Sequence, residues 1–215
     1  MRTFRTRLLI LATALACSTA TSEPLTREQA LIAIENAESG TRLEGVVRLV
    51  EIGGMADSDR LLVKLTDDDP QVRTIATAAL WQIWSRSGDA DVDKLFARGM
   101  EQMKADDLDG ALATFDEVVQ LRPAFAEGWH KRALVHFQME KHEKALLDCK
   151  EALKLNRNHF GALSGVGQIY LHKGDAPRAL EFFRRAVNLN PNMLGTARMI
   201  PMLEEYLRAK YDSMI

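Results

Sequence analysis

Apolar and polar positions alternate along this chain with a helical period, and from Val92 onward the pattern returns every 34 residues. Bulky apolar residues recur at Leu95, Trp129 and Leu163, and small ones at Gly99, Ala133 and Gly167. Alanine recurs at Ala111, Ala145 and Ala179, and leucine at Leu121, Leu155 and Leu189. Three copies therefore fill 92–125, 126–159 and 160–193, each long enough for two amphipathic helices. Turn signals at Asp109-Gly110, Lys141-His142 and Gly174-Asp175 divide each copy into a helical pair. No single pair can bury its own apolar face, so the pattern predicts an all-α, right-handed helical-repeat solenoid. After Met193, Leu194, Ala197, Ile200, Leu203 and Leu207 form a further stripe, predicting a capping helix over 194–211. Pro201 falls inside it and is expected to kink or split it.

Residues 23–88 carry a different helical pattern. Leu65 to Arg73 reads as a turn rich in aspartate followed by Pro70 in the first turn of a helix that continues through Ala76, Ala79, Leu80 and Ile83. A weaker copy lies 31 residues earlier, where Arg42, Gly45, Leu49 and Ile52 match Arg73, Ala76, Leu80 and Ile83. Two such units are marginal alone and should pack onto the first 34-residue unit. Trp81 and Trp84 share one helix face, either as a packed seam against that unit or as an exposed docking patch.

The start of the chain reads as a targeting segment over 1–22. Arg2, Arg5 and Arg7 precede the apolar run Leu8–Ala16 and then small residues, the order of a secretory signal peptide. The run is too short to span a bilayer. A mitochondrial presequence is the alternative reading. Cys17 follows Ala14-Leu15-Ala16 where a lipoprotein carries its acylated cysteine, although Ala14 and Leu15 stand in the reverse of the usual order. Membrane contact follows only if Cys17 is lipidated. Beyond Cys17 the sole cysteine is Cys149, so an exported chain would be held by packing and not by an internal disulfide.

A formal charge of −2 offers no basic patch for nucleic acid, and loss of the leader's three arginines would make the rest more acidic. Asp89, Asp91 and Asp93 begin like a calcium loop, but Lys94 and Met100 stand where its glycine and glutamate belong, so they read as a helix cap. The five histidines, at 130, 136, 142, 159 and 172, make no His-x-x-x-His pair. No phosphate loop, nucleophile elbow or Cys-x-x-Cys is present. These features predict no metal, no cofactor, no small-molecule substrate and no enzyme.

The 92–193 segment resembles the tetratricopeptide repeat (TPR) family. The third unit reads Leu163, Gly167, Tyr170, Ala179, Phe183, Ala186, Pro191; the second reads Trp129, Ala133, His136, Ala145, Cys149, Ala152, with Arg157 where proline is usual. The first reads Leu95, Gly99, Gln102, Ala111, Phe115, Val118, Pro123. Met55 to Ser87 resembles a HEAT repeat, with Thr26 to Gly54 as a degenerate partner. The TPR resemblance implies a concave face lined by the first helix of each unit. Carried over by position, that face comprises Asp93, Phe96, Met100, Met103, Glu127, His130, Leu134, Phe137, Ser164, Gln168 and Leu171. Within it, Phe96, Met100, His130, Leu134, Phe137 and Gln168 are the candidate partner-binding residues, since aromatics and methionine make adaptable contacts. Co-chaperone TPR domains grip a C-terminal carboxylate on these helices; the matching places hold Phe96, Met100, Lys131, Gly161 and Gly165, so that clamp is not expected. The implied role is a protein–protein adaptor of the bacterial envelope, exported to the periplasm, with a lipid-anchored assembly factor as the alternative. The N-terminal segment or the C-terminal helix could instead fill the groove.

Overall fold

The computed structural model describes residues 23–212, whose regular structure is entirely helical. Four helices form an N-terminal bundle: α1 (Arg27–Ala33), α2 (Ser39–Ile52), α3 (Ser58–Val63) and α4 (Pro70–Trp84). Six more form three antiparallel pairs: α5 (Ala90–Lys104) with α6 (Leu108–Leu121), α7 (Ala126–Gln138) with α8 (His142–Leu155), and α9 (Phe160–His172) with α10 (Ala176–Leu189). Helix α11 (Leu194–Asp212) closes the array.

The helix boundaries follow local chemistry. Asp69 accepts a hydrogen bond from Gln71 N–H, and Pro70 fills the first turn of α4, where a missing N–H costs nothing. Asp89 accepts from Asp91 and Val92 N–H at the start of α5, so the aspartate run is a cap. Asp107 and Asp175 cap α6 and α10 in the same way. Between the helices of each pair the chain turns through one left-handed residue: Asp106 (φ 60°), Glu140 (φ 59°) and Gly174 (φ 75°), again 34 apart. Only the third is a glycine, so two units tolerate a modest strain at this turn.

The same spacing controls close approach within a pair. A methyl group on Gly99 would meet the Phe115 ring at 2.8 Å, and one on Gly167 would meet Phe183 at 2.5 Å. Each phenylalanine is fully buried against the small residue of its partner helix. The α5–α6 pair thus has the geometry of the two that follow it.

In the bundle, Arg42 donates to the Asn36 and Ala37 carbonyls, and Arg73 donates to those of Asp67 and Asp68. The 31-residue copy therefore repeats a tether between helix and preceding loop. Arg42 additionally forks onto Asp67 at 2.8 and 2.7 Å.

The core of the bundle does not continue into the first 34-residue unit as expected, although Arg122 Nε of that unit donates to the Ser87 carbonyl at 3.2 Å. The bundle core of Ile34, Val46, Leu49, Leu61, Leu65, Leu80 and Ile83 continues into Phe160, Leu189 and Met193, which belong to the third unit and its exit. Asn192 Nδ2 donates to the Leu65 carbonyl at 2.9 Å, and Asn158 Nδ2 to Asp59 Oδ1 at 3.4 Å. The two indoles of α4 carry this docking: Trp81 stacks on His130 of α7, and both meet Phe160 at the start of α9. Helix α11 is likewise not split at Pro201; it runs unbroken from Leu194 to Asp212. Pro201 is exposed, so the carbonyl its ring leaves without a helical donor can be hydrated.

Candidate functional site

The first helices α5, α7, α9 and α11 present four residues at one register position, Met100, Leu134, Gln168 and Met202, each 34 after the last. Met100, Leu134 and Gln168 are half-buried and Met202 is exposed. At the C-terminal end of this row an apolar cavity of about 350 Å³ opens between α9, α10 and α11. Leu171, Ala176, Met199, Met202, Leu203 and Tyr206 line it. Phe137 is half-buried one turn from Leu134, with its ring 4.8 Å from His172 and 5.4 Å from His142. Of the six candidate partner-binding residues, Met100, Leu134, Phe137 and Gln168 thus remain accessible in part.

Two of the six candidate partner-binding residues turn inward, as does Glu127 of the wider predicted face. Phe96 is buried, its ring 5.8 Å from Phe115 and 5.2 Å from Phe125, because the loop into α7 brings Phe125 over it. His130 is buried beneath Trp81, whose ring stacks on it with centroids 6.1 Å apart. Cys17 lies outside the described residues. Met199, Met202 and Tyr206 were missed because the last helix reads as a cap; extending the 34-residue register from Gln168 leads directly to Met202.

The upper end of the groove is filled by the bundle. Trp81 lies under the Lys131 ammonium, 5.5 Å from ring centroid to Nζ. A methyl group on Gly161 would overlap the Trp81 ring and approach the His130 ring at 3.1 Å. Lys131 and Gly161 are two of the five places where the co-chaperone resemblance puts its carboxylate clamp. Trp84 is buried alongside, stacked on His159 at 4.9 Å and donating from Nε1 to Ser58 Oγ at 3.3 Å. The two tryptophans are therefore a seam, set against the second and third units.

Behind this seam, and unforeseen from sequence, lies a buried cluster of Glu127, His130 and His159. Ala162 N–H donates to His159 Nδ1 at 3.1 Å, which places the ring proton on Nε2. That Nε2–H donates to Glu127 Oε2 at 2.6 Å, and His130 Nδ1–H donates to the same oxygen at 3.0 Å. Lys131 Nζ stands 2.9 Å from the other oxygen. Burial pushes the His130 pKa down to about 4, more than the Glu127 charge can offset. Burial alone would raise the Glu127 carboxyl, yet His130 and then His159 hold it well below its ordinary value. A metal ion would need the His159 Nε2 lone pair, hence a proton on Nδ1, where the Ala162 N–H already donates. The three side chains form a proton-bearing network and fit a metal poorly.

Residues 126–159 and 160–193 each match the family model described as the tetratricopeptide repeat. A TPR repeat-containing protein of Rhizobium etli is 30% identical over 124 residues, which are 58% of this chain and 61% of that relative. The match thus spans less than two thirds of the relative's length. Among solved structures, the Sgt2 TPR domain from Aspergillus fumigatus superposes with a TM-score of 0.55 at 19% identity, over 58% of this chain and 83% of that one. The first TPR of Spaghetti (RPAP3), solved with an HSP90 peptide, gives 0.53 at 22%, over 56% of this chain and 96% of that one. The fold is an all-helical repeat solenoid. More particularly, its second and third units are tetratricopeptide repeats.

Proposed function

We propose that the chain is a non-enzymatic adaptor that holds an extended or helical segment of a partner protein along its first-helix row. The observation that carries this reading is the apolar cavity beneath Met202 and Tyr206, continuous in register with Gln168, Leu134 and Met100. Apolar anchors in such a cavity would supply most of the affinity, with half-exposed neighbours excluding water. The RPAP3 domain was solved with the HSP90 peptide SRMEEVD, whose end is acidic. Here the one cation among the clamp positions, Lys131, is paired with Glu127 and covered by Trp81. The partner segment therefore carries apolar anchors instead of a gripped carboxylate. Placement in a bacterial envelope rests on the order of residues in 1–22, and lipid anchoring on Cys17.

The test uses the chain lacking residues 1–22 as bait in envelope extract, beside a Leu134→Glu/Met202→Glu variant. Both positions are part-exposed, so the variant keeps its helical circular dichroism. A protein retained by the first bait and lost by the second supports the groove. Identical captures refute it.

A further inference from the structure

The buried carboxylate and its two histidines have no part in holding a partner, yet they sit where the N-terminal bundle covers the groove. We propose that this seam is an acid-operated latch, in which protonation of the Glu127–His130–His159 network releases Trp81 and Trp84 and uncovers the upper groove. The proposal rests on the groove reading above, as a regulation of that same surface.

The geometry leaves His159 no room for another proton. His159 already donates from Nε2 and accepts at Nδ1, so a second proton would point at the Ala162 N–H. Relief requires the ring to move, and that ring is fully buried and stacked on Trp84. His130 is enclosed by Trp81 on one side and by Glu127 on the other. Among the described residues, the charged and titratable groups facing the network come from the solenoid: Glu127, His130 and Lys131 on α7, and His159 before α9. Helix α4 presents its two indoles, Trp81 to His130 and both to His159. Asp59 on α3, an acid of the bundle, accepts from Asn158 Nδ2. Arg86, after α4, donates to the Val50 and Gly53 carbonyls. At neutral pH the network is balanced, one carboxylate against one ammonium. Each proton added then leaves a buried excess of positive charge that no bundle group offsets.

The direction follows from linkage. His130 is held near pKa 4 while docked and returns towards 6.5 when released, so protons favour release. Loss of the Glu127 carboxylate at still lower pH acts in the same direction. The opening equilibrium should rise roughly tenfold per pH unit as pH falls from 6.5 to about 4, about 300-fold in all.

The three tryptophans give a readout that needs no partner, so its failure is separate from that of the groove reading. In the full chain labelled with 5-fluorotryptophan, fluorine resonances of Trp81 and Trp84 report the seam, and Trp129 reports the solenoid. Gly161→Ala, whose methyl group crowds Trp81, weakens the seam and brings the transition to higher pH, and its acid plateau supplies the open reference. The expected result is that Trp81 and Trp84 move to their open positions on acidification while Trp129 and the circular dichroism hold. His130→Asn/His159→Gln, which keeps donors to Glu127 but cannot titrate, should lose that response. The proposal is overturned if the double variant opens with the same pH dependence, or if Trp129 and the helix signal change together with Trp81.

Discussion

Gly161 offers the sharpest test of the bundle's docking, because one methyl group there has two opposed effects. Replacing a helical glycine by alanine stabilises by about 1 kcal/mol in the interior and by less at Gly161, the second residue of α9. At Gly161 the new methyl overlaps the Trp81 ring and crowds His130, and neither ring is a flexible tip. Trp81 is held edge-on by Trp84 at 5.7 Å and by Phe160 at 5.0 Å. Overpacking of this kind costs about 1–3 kcal/mol. Gly165, four residues on in the same helix, meets only Cys149 Sγ at 3.3 Å and serves as the matched control. Gly161→Ala should therefore be less stable than Gly165→Ala by about 1–3 kcal/mol, all of it arising at the seam. Urea unfolding followed by tryptophan fluorescence and by circular dichroism measures both variants. Equal stabilities, or a more stable Gly161→Ala, would refute the placement of Trp81 over α9.

Further predictions concern the solenoid itself. Arg132 donates to Asp148 at 2.8 and 2.7 Å and to Asp116 at 2.7 Å, while stacking on Trp129. Arg132→Leu strands the buried Asp148 carboxylate and should cost about 2–3 kcal/mol in urea unfolding, with part recovered by adding Asp148→Asn. Burial pushes the Cys149 thiol up to about 12. Alkylation by iodoacetamide at pH 8 should then be at least about 100-fold slower in the native chain than in urea; comparable rates would contradict the packing of α8 against α9.

What the sequence discloses is local and periodic. Asp89, Asp107 and Asp175 cap helices where their spacing says they should, and the 34-residue register carries through the left-handed turns at Asp106, Glu140 and Gly174. What it conceals is contact between segments far apart in the chain. Trp81 meets Gly161, and Glu127 meets His159, through a docking geometry that no helical period encodes. Phe96 has the right register for the groove, but register cannot say that Phe125 will cover it. Met202 is the opposite case: the 34-residue register reaches it directly from Gln168, although α11 also has the pattern of a cap.

The central claim, that the first-helix row is the binding face, can be tested with two side chains of equal exposure. Met202, on the first-helix row, is 61% exposed, and Leu147, on the second helix of its unit, is 62% exposed. A photo-crosslinking amino acid placed at each position in turn, in cells expressing the chain, samples both surfaces with the same reach. Position 202 should give a discrete crosslinked partner and position 147 none. Crosslinking from 147 alone, or equally from both, would contradict that claim.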